Sequence, residues 1–248
     1  MYPEPHFSAD EDRRGQDEIR RQGFLPDPLL ERLDRPVLGL NLALHWPLPA
    51  AFREKYEKLF VRLSALDPGA YVYPYPETHV TVATLVSFKR HESPDPSDEA
   101  RIRDCIPYLI RAVGRITADI PTFSIDIGAP VLVRAAAFLP ILNPGGEISR
   151  VRQALEPALR AAGPVLAQAQ IPRAVHMTVL RFRAAPRDPA TFVQRFRSVA
   201  GETSFGSASV EDLIITSETR PYMIEGAIEH RFRLTPALPI QTSPTQTP

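Results

Sequence analysis

Apolar and polar positions along the chain alternate in short runs with a period of two, and helical spacing separates the runs. Leu38, Leu40, Leu42 and Leu44 are interleaved with smaller or polar residues, which predicts a half-buried strand. Phe52, Tyr56, Leu59, Phe60, Leu63 and Leu66 follow at helical spacing, and Asp67-Pro68-Gly69 ends that helix. After Tyr71-Val72-Tyr73-Pro74-Tyr75-Pro76 comes THVTVATLV, residues 78–86, which reads as a second strand. Ile102, Cys105, Ile106, Leu109, Ile110 and Val113 predict one further helix, and Phe123, Ile125 and Ile127 a further strand.

The same order then recurs. Ala135 to Leu142 is an apolar strand, and Asn143-Pro144-Gly145-Gly146 is a turn. Ile148, Val151, Leu155 and Leu159 mark a helical face that Gly163-Pro164 ends, and the strand AVHMTVLRF, residues 174–182, follows. A helix with Phe192, Val193, Phe196 and Val199 comes next. Strands with Leu213 and Ile215, and with Ile228, His230, Phe232 and Leu234, close the chain. The pattern is a diverged duplication, β-α-β-α-β, whose equivalent strands face one another across a pseudo-two-fold cleft.

Each copy carries the same motif: His79-Val80-Thr81-Val82 and His176-Met177-Thr178-Val179. In a strand, His and Thr at i and i+2 share one face about 6.6 Å apart, while the apolar pair points into the core. With six histidines in the chain, two such matches arise by accident about once in a thousand at average residue usage. Two imidazoles supply a base and an acid near neutrality, since the unperturbed pKa is about 6.5. The hydroxyls donate to an oxyanion. That set suits acid/base chemistry at a phosphodiester. The bland alternative is a pair of core-edge histidines beside strand-favoured threonines, and the repetition weighs against it.

Other chemistries fit less well. Zinc needs three or four ligands; each motif supplies one, and His45, Glu77 and His91 lack the spacing to complete a set. No metal or cofactor is therefore expected. No G-x-S-x-G elbow and no phosphate-binding glycine loop is present. Tyr71, Tyr73 and Tyr75 share one face if extended, and Tyr75 is taken as a base-stacking, substrate-binding candidate. His6, His45 and His230 read as solvent-facing or structural.

Composition narrows the partners. The 248 residues balance 29 basic against 29 acidic side chains, so no broad basic surface exists to hold duplex DNA. A lone cysteine, Cys105, rules out an intramolecular disulfide framework and suits a reducing compartment. The N-terminal residues have acids where a signal peptide needs a positive start and an apolar stretch. The most apolar run, APVLVRAAAFLPIL, is too short to span a bilayer. A soluble cytoplasmic monomer is expected, with no membrane contact. Residues 1–35 read as an N-terminal arm, partly disordered, with a short helix around Asp27 to Leu33. Residues 36–235 form the bilobal domain: lobe 1 about 36–130, lobe 2 about 131–235, with strands free to exchange. Residues 236–248 read as a disordered, proline-spotted tail.

The two HxTx motifs, their separation of 97 positions and the duplicated element order resemble the two-histidine (2H) phosphoesterases. That superfamily includes RNA 2′,3′-cyclic phosphodiesterases and 2′,5′-RNA ligase-like proteins. The resemblance implies an α+β fold of two pseudo-symmetric lobes of antiparallel β-sheet with flanking helices and an active-site cleft between them. It implies a metal-free mechanism with His79, Thr81, His176 and Thr178 as catalytic residues, His176 leaning to base and His79 to acid. The partner would be an RNA end or small cyclic nucleotide, opened at its 2′,3′-cyclic phosphate. The alternatives are the reverse reaction, 2′,5′-ligation of RNA ends, and a non-catalytic nucleotide- or RNA-end-binding protein. Many relatives also carry an arginine three positions after the second Thr, here Arg181, a substrate-binding candidate. On strict alternation Arg181 faces away from His176, so that role requires a strand end or a bulge. The arm and the loop around His91 to Pro96 look like departures from the compact members.

Overall fold

The computed structural model describes residues 9–172 and 174–236. The first part of the chain forms α1 (Ala9–Gln22), β1 (Gly39–His45), α2 (Arg53–Ser64), β2 (Ala70–Val72) and β3 (Val80–Val86). Next come α3 (Pro96–Arg103), α4 (Ile106–Thr117) and β4 (Phe123–Ile127). The second part forms β5 (Val131–Val133), β6 (Ala136–Leu142), α5 (Glu147–Ala161), β7 (His176–Phe182) and α6 (Pro189–Gly201). It ends with β8 (Gly206–Val210), β9 (Asp212–Glu218) and β10 (Gly226–Arg233). No helix among the described residues is long and apolar enough to cross a membrane.

The fold is α+β, with two antiparallel sheets and a cleft between them. One sheet runs β10-β9-β1-β3 and the other β2-β7-β6-β4-β8, with β5 also paired to β6. The lobes are not contiguous halves of the chain. β9 and β10 come from the second half and complete the sheet of β1 and β3, while β2 and β4 come from the first half and join β6 and β7. Exchange gives β1 and β6 a partner on both sides and leaves neither with an open edge. A boundary near residue 130 divides the sequence but not the sheets.

Three local expectations change. β1 is buried on both faces apart from His45: Leu40, Leu42 and Leu44 join the core cluster, and Asn41 lies against the floor of the cleft, so the strand is not half-exposed. The single helix expected over Ile102 to Val113 is broken into α3 and α4. Pro107 has no N–H for the carbonyl four residues back and its ring crowds that carbonyl, so the chain restarts the helix at Ile106. Ile102, Leu109 and Val113 still reach the core.

The third change concerns the arm. Only a 3-10 turn, Pro28–Arg32, occupies the place of the short helix expected there, and α1 precedes it. Ile19 and Phe24 are buried, and Phe24 packs edge-on against Phe182 and Phe192 at 4.7 and 5.5 Å. Arg134 donates to the carbonyl of Gly23, and the Asp27 N–H donates to the carbonyl of Phe182. The arm is thereby stitched along β5 and the end of β7. Few apolar residues make these contacts, which is why a charged composition concealed them. The disorder expected for the first eight residues and for residues 237–248 lies outside the described residues.

Candidate active site

The two motif strands share a distortion. On β3, Thr81 pairs with Ala43 and Ala83 with Leu42, so two steps on β3 oppose one on β1. On β7, Thr178 pairs with Phe138 and Leu180 with Ala137, again two steps against one. Each is a β-bulge, with the extra residue at the fourth motif position, Val82 or Val179. Val82-Ala83 and Val179-Leu180 are therefore consecutive buried pairs, and alternation restarts one residue late. Thr84 and Arg181, each five positions after its motif histidine, join the same face as His and Thr. The structure supplies the bulge that Arg181 required.

His79, Thr81, His176, Thr178, Thr84 and Arg181 all line one cleft of about 360 Å3. The His79 ring hydrogen-bonds the carbonyl of Glu77 through Nδ1 at 2.8 Å, and the backbone of Ala174 holds the His176 ring. Both anchors sit two residues before the histidine. A carbonyl only accepts, so Nδ1 of His79 carries the proton and Nε2 keeps its lone pair. The entry to the first motif is fixed by Thr78, whose hydroxyl donates to the Tyr75 carbonyl and accepts from the Leu48 N–H.

Burial pushes both imidazoles down to about 4. For His79 the bond to Glu77 opposes the shift and the positive charge of Arg181 adds to it. For His176 the charges of Arg181, His79 and Arg152 all add to it. Empty, the cleft holds two neutral rings at pH 7.

Arg181 is caged by three segments. Its Nε donates to the Tyr73 hydroxyl at 3.1 Å, and its Nη1 to Asp27 Oδ2 at 3.3 Å. Its guanidinium lies 4.3 Å from the centroid of the Tyr222 ring, a cation–π distance. The Tyr222 hydroxyl in turn donates to Asp27. Asp27 also caps the 3-10 turn by accepting from the Leu29 N–H at 3.1 Å.

A second polar group lies on the cleft floor. Glu218 is 2% exposed; its Oε1 accepts from Asn41 Nδ2 at 3.1 Å, and its Oε2 from the Met223 N–H at 3.0 Å. Burial raises its carboxyl to about 7, against the lowering effect of those two bonds. Tyr222 and Met223 both have left-handed backbone, φ 63° and 57°, at a cost of order 1–3 kcal/mol each for residues with a Cβ.

Tyr75 is not part of this arrangement. It does not line the cleft; its hydroxyl donates to the Leu48 carbonyl at 2.5 Å, and Arg53 lies over its ring. Tyr73 reaches Arg181 instead. Asp27, Asn41, Glu218 and Tyr222 were missed in the sequence. A usable signal existed for two of them: Asn41 inside GLNLALH and Glu218 closing DLIITSE are polar residues in apolar strands, a placement that needs a reason. Among the described residues no group of three or more His, Cys, Asp or Glu side chains is placed to hold a metal ion.

The fold is similar to that of solved proteins. TT0787 of Thermus thermophilus is 18% identical, with a TM-score of 0.55 over 80% of this chain and 98% of that one. E. coli LigT complexed with NADP+ is 19% identical, with a TM-score of 0.50 over 81% of this chain and 98% of that one. The likeness is one of fold. No family model matches the chain, and no curated protein matches it.

Proposed function

We propose that this cleft is the active site of a two-histidine phosphoesterase, which hydrolyses 2′,3′-cyclic phosphates of RNA ends or small nucleotides. The observation that carries the reading is the pair of motif strands with the same bulge. It brings two imidazoles, three threonine hydroxyls and one guanidinium to a single cleft. The fold likeness to LigT is in keeping with it.

In this reading a water gives its proton to His176, and its oxygen attacks phosphorus. The bond from phosphorus to one ribose oxygen breaks, and that oxygen takes a proton from His79. Burial lowers both rings and a backbone anchor opposes the shift in each, so the assignment of His176 as base and His79 as acid follows the resemblance to two-histidine phosphoesterases. Thr81 and Thr178 donate to the non-bridging oxygens, and Arg181 offsets their charge. The anionic substrate supplies the counter-charge that lets one ring protonate. Two imidazoles perform both proton transfers, so the chemistry needs no metal.

The test is turnover of nucleoside 2′,3′-cyclic phosphates and of oligonucleotides that end in one, with and without EDTA. His79→Ala and His176→Ala should each lower kcat by about 10²- to 10⁴-fold, and EDTA should change nothing. Wild-type turnover in both variants would overturn the mechanism.

A further inference from the structure

Glu218 touches neither motif, yet its surroundings are built for it. It is the register partner of Gly39 on β1 and of Gly226 on β10. A Cβ at Gly39 would lie 2.5 Å from Glu218 Oε1, and one at Gly226 would collide with the carbonyl of Ser217. Gly39 thus gives up a side chain beside this carboxyl, and Gly226 one against the backbone of Ser217 and Glu218. Asn41 then fills one oxygen, and the Met223 N–H fills the other. The second bond reaches forward five residues and closes the β9–β10 connection onto the cleft floor.

That connection is the segment with two consecutive left-handed residues. Neither is glycine, so the conformation persists only where surrounding contacts hold it. The Glu218–Met223 bond is a contact of that kind. What the turn presents to the cleft is Tyr222, whose hydroxyl reaches Asp27 and whose ring lies under the Arg181 guanidinium. A continuous chain of contacts therefore runs from Asn41 through Glu218 and Met223 to Tyr222 and Arg181.

We propose that Glu218, seated by Asn41, is a positioning residue for Arg181: it clamps the Tyr222–Met223 turn and so aims the guanidinium into the cleft. The activity arm of the test rests on the phosphoesterase reading; the spectroscopic arm does not. Glu218→Ala leaves the Met223 N–H and the Asn41 amide without their acceptor. Glu218→Gln keeps an acceptor for Met223, and Asn41 can rotate its amide to match.

The experiment is a double-mutant cycle on kcat/KM for adenosine 2′,3′-cyclic phosphate, with thermal melts alongside. Glu218→Ala should lower kcat/KM by about 10- to 100-fold, mainly through KM, as an ångström-scale misplacement of a binding group does. Glu218→Gln should restore most of it. In an Arg181→Lys background, where the fork to Tyr73 and Asp27 is already lost, Glu218→Ala should cost less than about twofold. Activity within twofold of wild type, or the same loss repeated in the Arg181→Lys background, would overturn the proposal. If Glu218→Ala gives no cooperative melt, Tyr222→Phe carries the cycle. It removes one hydroxyl and should lower kcat/KM about 3- to 10-fold only where Arg181 is present; an unchanged value overturns the proposal equally.

The second readout is the Arg181 Nε–H resonance by NMR, which needs no substrate. Wild type and Glu218→Gln should show a slowly exchanging signal from the bond to Tyr73, and Glu218→Ala a fast one. An unaltered signal in Glu218→Ala refutes positioning. Absence of turnover in the wild-type protein refutes the phosphoesterase reading and leaves this measurement to decide the role of Glu218.

Discussion

Asp27 and Arg181 stand 154 positions apart in the chain and 3.3 Å apart in the cleft. The carboxylate belongs to the N-terminal segment, the guanidinium to the second motif strand. Asp27 is mostly buried and also accepts from Tyr222 and from the Leu29 N–H, so one side chain joins the arm to the site. Asp27→Ala should destabilise the protein by about 2–3 kcal/mol, as loss of a part-buried, hydrogen-bonded pair does. Urea unfolding measures that, and a loss under about 0.5 kcal/mol would mean the arm is not anchored here.

The two histidines should act as one unit. The double variant His79→Ala/His176→Ala should be little slower than either single variant, because the first deletion removes most of what the pair does. Multiplicative losses would point to two independent roles. Thr81→Val and Thr178→Val keep the shape and delete the hydroxyl. Each should lose about 1–3 kcal/mol of transition-state stabilisation, the strength of a hydrogen bond to a charged group.

Protonation of the cleft should follow its anion. Burial and neighbouring cations hold His79 and His176 at about 4 when the cleft is empty. A bound phosphate dianion reverses that electrostatic balance and raises both. Histidine Cε1–H titrations by NMR should show two rings near 4 that move upward when inorganic phosphate is added. Titration curves unmoved by saturating phosphate would separate these rings from the anion site.

Stability should climb from acid pH and level off above about pH 7. His45, His79 and His176 are each lowered from 6.5 to about 4 by burial. Below 6.5 the unfolded chain binds three protons that the folded protein refuses, and stability is lost as pH falls. Glu218 is raised from 4.5 to about 7, so its folded form holds one proton the unfolded chain lacks, and that contribution is lost as pH rises through 7. The histidines prevail, three protons against one, so Glu218 only flattens the rise. Glu218→Gln should remove this offset and steepen the climb from about pH 4.5 to 7. Thermal melts from about pH 4.5 to 8.5 test both; a flat profile would mean the rings are not buried in solution.

Much of this was legible in the residues, for physical reasons that differ by element. The motif strands and α2, α5 and α6 follow from periodicity because their apolar faces meet one core. Exchange between lobes was anticipated, but not that β2, β4, β9 and β10 are the strands that cross, since a strand's pattern states which face is buried and not which neighbour it takes. Tyr75 was misplaced because alternation through Tyr71-Val72-Tyr73-Pro74-Tyr75 assumes an extended chain, and a 3-10 turn at Tyr75–Glu77 breaks it. Asp27 and Glu218 act through partners far along the chain, and no local pattern encodes such a meeting.

The paired bulges have a geometric consequence. They extend each motif to a sixth residue on the cleft face, and there the two walls part company: Thr84 on one, Arg181 on the other. Up to that position the two strands carry the same functional groups, so a phosphate between them would meet His and Thr from either side. At the sixth place that likeness ends: β7 offers a guanidinium where β3 offers a hydroxyl. Lys89 and Arg90, just beyond β3, also line the cleft, so its positive charge comes from unlike positions on the two sides. A duplicated pair of strands thus forms an unequal site.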